Sequence, residues 1–229
     1  MKKKFSKRYK KIFETSKNSK IDNFDEALKK VKTNCTTKFD ESIDVSFKLN
    51  LKQKKDEAGI RTNVNLPNGN GKKVRVAVLC EDSKVKEAKD SGADTCGSEN
   101  LISDINSGKI NFDKLISTPA MMPKMGKLGK ILGPKGLMPN PKLGTVTNDV
   151  KSAVKAIKSG QIEIKNDKDG NIAACIGKKS FADNKIKQNF DTFLETIKRE
   201  KPAGIKGEYI LSAYLTSTMG ISFRLKLGK

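Results

Sequence analysis

The clearest periodicity in the chain is a two-residue alternation over 42–49, where Ile43, Val45, Phe47 and Leu49 interleave with Ser42, Asp44, Ser46 and Lys48. Successive side chains of a strand point to opposite faces, so this stretch is predicted to be a strand with one buried face. Ile60, Thr62, Val64 and Leu66 repeat the pattern after a charged loop, and "PNGNG" at 67–71 then breaks the chain. Beyond the break the pattern changes. "VRVAVLC" (74–80) is a nearly continuous apolar run, as expected of a strand covered on both faces, and "FDKLIST" (112–118) is a further buried-strand candidate. Ser83 and Ser98 are placed to cap two short helices between them, and residues 121–132 are predicted to be helical as far as Gly133. Strands alternating with short helices predict a small parallel α/β layer.

The two ends of the chain read differently from this middle. Residues 5–18 form a basic helical pattern, and Asn23 with Glu26 resembles a capping box opening a second helix through about Asn34. Asn148 is placed to start a helix that Gly160 ends, and "QIEIK", the turn "NDKDG" and "NIAACIGK" read as a hairpin. Asp183 is placed to cap a long amphipathic helix to about Glu200, and two final strands flank Met219 and Gly220. The predicted architecture is one α+β domain formed by both chain ends, 1–67 plus 160–229, interrupted by an inserted α/β domain at 68–159. Two connections between the domains permit hinge motion.

Charge supports this partition. Residues 68–112 hold seven basic and seven acidic side chains, whereas the first twenty hold nine basic and one acidic. Over all 229 residues, 47 basic and 26 acidic side chains give a formal charge of +21, a field that attracts polyanions. No apolar run approaches the roughly 20 residues needed to cross a bilayer, so no membrane partner is expected, and the basic amino terminus lacks the apolar core of a signal peptide. The chain has no histidine, which removes Ser-His-Asp and Cys-His nucleophile activation and most zinc sites. Its four cysteines lack C-x-x-C spacing and read as reduced thiols. No catalytic residue, metal or cofactor is expected.

Three stretches carry candidate chemistry. "GKLGKILGPKGLMPNPKLGTVT" (126–147) has five glycines, three prolines and no acid. Neither phosphate-loop spacing, G-x-x-x-x-G-K-[ST] or G-x-G-x-x-G, occurs in it, so it reads as a rigid surface loop or a basic platform in which Lys124, Lys127, Lys130, Lys135 and Lys142 meet phosphates. "YILSAYLTSTMGISFRL" (209–225) offers Ser212, Thr216, Ser217 and Thr218 as neutral hydrogen-bonders beside a bend at Met219-Gly220. Such groups suit reading of RNA shape and 2′-hydroxyls, or are an ordinary threonine-rich strand with a bulge. In "TKFDES" (37–42), Phe39 either stacks on a base or is buried at the strand entrance. Asp40 and Glu41, as neighbours pointing to opposite faces, make a poor catalytic pair.

"TPAMMPKMGKLGKILGPKGLMPNPKLGTVT" closely resembles the signature of the bacterial ribosomal protein L-one family, as do "KFDESIDVSFKLNL", "LPNGNGKKVRVAVL", "IEIKNDKDGNI", "KPAGIKG" and "STMG", in the expected order. The resemblance implies a discontinuous rRNA-binding domain interrupted by a three-layer Rossmann-like insert. It also implies a non-enzymatic constituent of the large ribosomal subunit, in the bacterial cytoplasm or an organelle of bacterial descent. Its implied partners are large-subunit rRNA of the mobile stalk, deacylated tRNA leaving the exit site, and the mRNA leader of its own operon, whose translation it represses. The implied rRNA-binding residues are Lys38, Phe39, Ser42, Lys165, Ser212, Thr218, Met219 and Gly220. Thr218 is expected to hydrogen-bond RNA, Met219 to pack under it and Gly220 to let it approach; Lys127, Lys130, Lys135 and Lys142 are auxiliary contacts. Two positions depart from the family pattern: Ala173-Ala174-Cys175 stands for a His-Ala-Pro run, and Ile221 for a proline. The alternatives from other classes are a relative acting in ribosome assembly and a Rossmann-like nucleotide-binding enzyme.

Overall fold

A computed structural model describes residues 5–16, 21–51, 59–202, 205 and 207–226. The end of the predicted first helix (17–18), the charged loop at 52–58 and positions 203, 204 and 206 of the KPAGIKG segment lie outside the described residues. In chain order the elements are α1 (Lys7–Ser16), α2 (Phe24–Asn34), β1 (Ser42–Leu49), β2 (Arg61–Asn65), β3 (Val76–Leu79), α3 (Val85–Asp90), β4 (Thr95–Gly97), α4 (Glu99–Asn106), β5 (Lys114–Ser117), α5 (Met122–Met125), α6 (Gly129–Leu132), α7 (Val150–Lys158), β6 (Gln161–Lys165), β7 (Asn171–Lys178), α8 (Asp183–Arg199), β8 (Ile210–Ser217) and β9 (Phe223–Leu225). The content is mixed α/β, and the chain divides into two compact units, Met1–Gly71 with Ile162–Lys229, and Lys72–Gln161.

The first unit is built on a four-stranded antiparallel sheet in the order β7-β1-β8-β9. The alternation of β1 becomes its burial pattern. Ile43, Val45, Phe47 and Leu49 lie in the core with Leu28 and Val31 of α2 and Phe190, Phe193 and Ile197 of α8, and the Phe47 and Phe193 rings stack with centroids 5.6 Å apart. Burying side chains of this size contributes about 1.5–3 kcal/mol each. The opposite face of β1 stays half-buried: Ser42, Asp44, Ser46 and Lys48 lie beside Thr216, Tyr214 and Ser212 of β8 and Cys175, Ala173 and Asn171 of β7.

The second unit holds a three-stranded parallel sheet in the order β4-β3-β5. Here β3 is buried on both sides. Ala77 and Leu79 face a core with Leu101, Ile105, Met125, Leu128 and Leu132, while Val76, Val78 and Cys80 face Ala88, Val150, Val154 and Ile157. Residues 145–147 extend the sheet at β5, Ser117 donating to Thr145 and accepting from Thr147.

Local chemistry departs from expectation in three places. The stretch predicted as a hairpin does not pair with itself: β6 pairs with β2 and β7 with β1. Asp167 draws the connection away by accepting from the amides of Asp169 and Asn171, and Gly170 passes its carbonyl to Leu49. α7 is capped by Asp149, whose carboxylate accepts from the Ser152 amide, not by Asn148. Asn23, Ser98 and Asp183 stand at or beside helix starts without capping them: the Ser98 hydroxyl donates to Asp82 at 2.6 Å, and Asp183 pairs with Lys32 at 2.5 Å. In both of the latter, a charged partner replaces the capping bond.

Candidate RNA interface

Two loops meet at the end of β1. One, 36–41, enters the strand; the other, 218–220, leaves β8 beside it. Thr218 joins them: its amide donates to the Ser42 carbonyl at 3.1 Å, and its Oγ1 accepts from the Ser42 amide at 3.0 Å. The Glu41 carboxylate is fully buried between the loops, Oε1 accepting from the Thr37 hydroxyl (2.8 Å) and amide (3.3 Å) and Oε2 from the Met219 amide (3.2 Å). Burial alone pushes its pKa up, but the neighbouring Ser217 hydroxyl and the Thr37 and Met219 donors outweigh it and hold the carboxyl below its ordinary value. From α1, Arg8 donates to the Met219 carbonyl at 2.7 Å and to the Thr36 hydroxyl at 3.3 Å.

These bonds fix the backbone and leave two apolar tips in solvent, Phe39 at 53% and Met219 at 49% exposure, with Lys38 exposed beside them. Phe39 is thus not the buried residue of a strand entrance. Thr218 spends its hydroxyl on Ser42, so its first task is to position Met219. Gly220 also has a duty inside the protein. Its amide closes a turn onto the Ser217 carbonyl, and a Cβ there would lie 2.3 Å from Ser217 Oγ. Any larger residue at 220 requires the buried Ser217 hydroxyl to move, whatever approaches from outside.

The remaining candidates do not join this cluster. Ser212 stands opposite Lys48, six residues from Thr218 along β8, which at the rise of a strand is about 20 Å. Lys165 ends β6 in the separate two-stranded sheet; the turn after it brings Asp169 to Lys48 and Gly170 to Leu49. The candidates therefore mark both ends of β1, and between them run the half-buried Asp44, Ser46, Tyr214 and Thr216. The departure at 173–175 falls on this same face, where Ala173 pairs with Ser46 and Cys175 with Asp44. Burial raises the Cys175 pKa, so the thiol stays protonated.

In the second unit the sequence 119–132 forms nearly continuous helical turns that bury Met121, Met125, Leu128 and Leu132 and expose Lys124, Lys127 and Lys130. Gly136 and Gly144, at φ of 68° and 64°, turn the loop that follows, which exposes Lys135 and Lys142. Lys124 is paired with Glu99 at 2.9 Å.

Sequence reasoning missed Arg8 and Glu41. The signal for Glu41 was present: carried back from Ile43, the alternation of β1 places position 41 on the buried face, where a carboxylate requires donors. Arg8 sits 211 residues from its partner Met219, and no local pattern connects them.

Among the described residues no group of three or more His, Cys, Asp or Glu side chains is placed to hold a metal, and no helix is long and apolar enough to cross a membrane. The chain matches the Ribosomal protein L1p/L10e family over residues 28–221. It is 58% identical over 225 residues to "Large ribosomal subunit protein uL1" of Pelagibacter ubique (strain HTCC1062), covering 98% of each chain. It is 48% identical over 221 residues to the protein of the same name from Rickettsia canadensis (strain McKiel), covering 95% of this chain and 92% of the relative. With the match spanning most of its length, the chain belongs to the ribosomal protein L1 family and is a structural protein, not an enzyme.

Proposed function

We propose that this protein is a constituent of the large ribosomal subunit that binds a structured segment of its rRNA through the loops at the end of β1. The observation that carries the reading is the anchoring of two loops with exposed apolar tips: Met219 is held by the buried Glu41 carboxylate and Arg8, its neighbour Thr218 by Ser42, and the loop of Phe39 by Thr37 donating to Glu41. A surface that is rigid before it meets its partner loses little conformational freedom on binding, and neutral groups held in register suit recognition of RNA shape. The half-buried face of β1, with Ser212 and Lys165 toward its other end, extends the contact along the strand. In this reading the first unit is the discontinuous rRNA-binding domain and the second a Rossmann-like insert whose Lys127, Lys130, Lys135 and Lys142 make auxiliary phosphate contacts. Assistance to deacylated tRNA leaving the exit site and repression of the operon mRNA by a leader resembling the rRNA site complete the proposal.

The test is filter binding of purified large-subunit rRNA to the wild type and to Thr218→Val. The variant leaves the Ser42 amide without its side-chain acceptor and frees the Met219 backbone. Affinity is expected to fall by about 1–3 kcal/mol. Unchanged affinity, or crosslinks in purified subunits that avoid residues 36–42 and 218–220, would remove the assignment.

A further inference from the structure

A stripe of aromatic rings runs from Phe5, two residues before α1, along the helix. Phe5, Tyr9 and Phe13 recur at every fourth position, which on a helix sets them above one another. The Phe5 and Tyr9 rings stack with centroids 5.1 Å apart and planes inclined by 28°, and Tyr9 and Phe13 follow at 6.3 Å and 17°. Tyr9 packs against the core and Ile12 is buried, so these two residues seat the helix. Phe5 and Phe13 instead stand 53% and 46% exposed. Ser6 anchors the start of the helix by accepting from the Tyr9 amide at 3.2 Å, which fixes Phe5 at the open end of the stripe.

Two further observations identify what covers this surface. Lys7, Arg8, Lys10 and Lys11 surround the rings against a single acid, Glu14, so the field is strongly positive. Arg8 binds the Met219 carbonyl and the Thr36 hydroxyl, which ties α1 to the two loops that carry Phe39 and Met219. The rings cover one another's inner faces, so the outer faces of Phe5 and Phe13 are the ones open to a partner. Set among cations and continuous with the β1 loops, they fit unpaired bases, which stack on the two ends while the lysines meet their phosphates.

We propose that the Phe5–Tyr9–Phe13 stripe is a second rRNA contact, a ladder of rings whose two outer faces, on Phe5 and Phe13, stack unpaired nucleotides next to the segment held by the β1 loops. The inference rests on the rRNA-binding reading above. It assigns α1 a recognition role in addition to the positive charge it contributes. Because every base has a π-face, the ladder accepts nucleotides of any sequence and is selective for unpaired over duplex RNA.

The test is filter binding of the full-length protein to purified large-subunit rRNA, comparing wild type, Phe5→Ala/Phe13→Ala, Phe5→Leu/Phe13→Leu, Phe5→Trp/Phe13→Trp and Thr218→Val. Both phenylalanines are largely exposed, and the Leu pair keeps their apolar bulk, so a fall in affinity cannot be charged to a lost core. The Ala and Leu pairs are each expected to weaken binding about tenfold or more, and the Trp pair to restore it. The salt dependence should stay unchanged, since no cation is removed. Wild-type affinity in the Leu pair while Thr218→Val binds weakly overturns the ladder and leaves the loop assignment standing. Wild-type affinity in every variant overturns both. Normal rRNA affinity in the Ala and Leu pairs with loss of incorporation into large subunits would identify a protein as the partner of the stripe and overturn the RNA assignment.

Discussion

The antiparallel sheet of the first unit packs its helices on one face and leaves the other half-open, whereas the parallel sheet of the second is buried on both faces. The contrast determines what each unit can offer a polyanion. In the first, strand side chains and the loops at the strand ends are both available, and bonds across neighbouring strands hold them in register. In the second, recognition is left to the outer surfaces of helical turns and loops, which present separate lysines on flexible stems. Fixed hydroxyls, amides and apolar tips read shape; mobile ammonium groups supply charge and little geometry. Discrimination should reside in the first unit and salt sensitivity disproportionately in the second.

The largest effect is expected at Glu41, which need not touch RNA at all. Glu41→Ala leaves the Thr37 amide and hydroxyl and the Met219 amide without their shared acceptor, inside a site that a small side chain cannot refill. Hydrogen bonds to a charged group contribute about 1.5–3 kcal/mol each, so a loss of roughly 3 kcal/mol in unfolding free energy is expected, read by urea titration. rRNA affinity should fall with it, because the Met219 tip loses its anchor. Native stability and affinity in this variant would mean that the two units do not differ in preorganisation.

A smaller effect, of a different kind, is expected from the second unit. Changing Lys127, Lys130, Lys135 and Lys142 together to Gln should lower affinity modestly at physiological salt and flatten its salt dependence. For every phosphate that no longer meets a lysine, the slope of log K against log salt falls by about 0.7–0.9. Measured beside Thr218→Val, which should lower affinity without altering the slope, the variant separates charge from shape. An unchanged slope would show that the lysine-bearing surface stays clear of RNA.

Much of this division was legible in the sequence because periodicity reports burial directly. The alternation at 42–49 and the continuous apolar run at 74–80 announced a one-sided and a two-sided strand, and both residue sets lie where the pattern puts them. What the sequence hid depended on distant partners. Asp167 could not be seen to turn β6 away from β7, because that choice is made by β2 and β1 competing for the strand edges. Gly220 looked like an opening for RNA, while the space beside it is taken by the Ser217 hydroxyl, three residues away, in a turn that forms only once β8 is in place. Ser212 and Thr218 looked like one site because they are close in sequence, but an extended strand turns six residues into about 20 Å.

The smallest effect tests the comparison on a single strand. Asp44 lies three residues beyond Glu41, yet its pKa moves the other way: burial on the half-open face raises it, and the Cys175 thiol offsets that only in part. Glu41 has donors on both oxygens, whereas Asp44 faces Cys175 on one neighbouring strand and Thr216 on the other. A carboxyl whose folded pKa lies above its unfolded value adds stability that is complete below the unfolded pKa and is lost as pH rises through the folded one. Asp44→Asn should therefore match the wild type in acid and be slightly the more stable at neutral pH in urea titrations. Glu41 has the opposite sign, its contribution being present above the unfolded pKa and lost as pH falls through the folded one. Bound rRNA lying over the sheet face would deepen the burial of Asp44 and set phosphates near it, so Asp44→Asn should also bind rRNA slightly more tightly at pH 7 than at pH 4 relative to the wild type. A variant-to-wild-type affinity ratio that is the same at both pH values would confine the RNA to the loops at the end of β1.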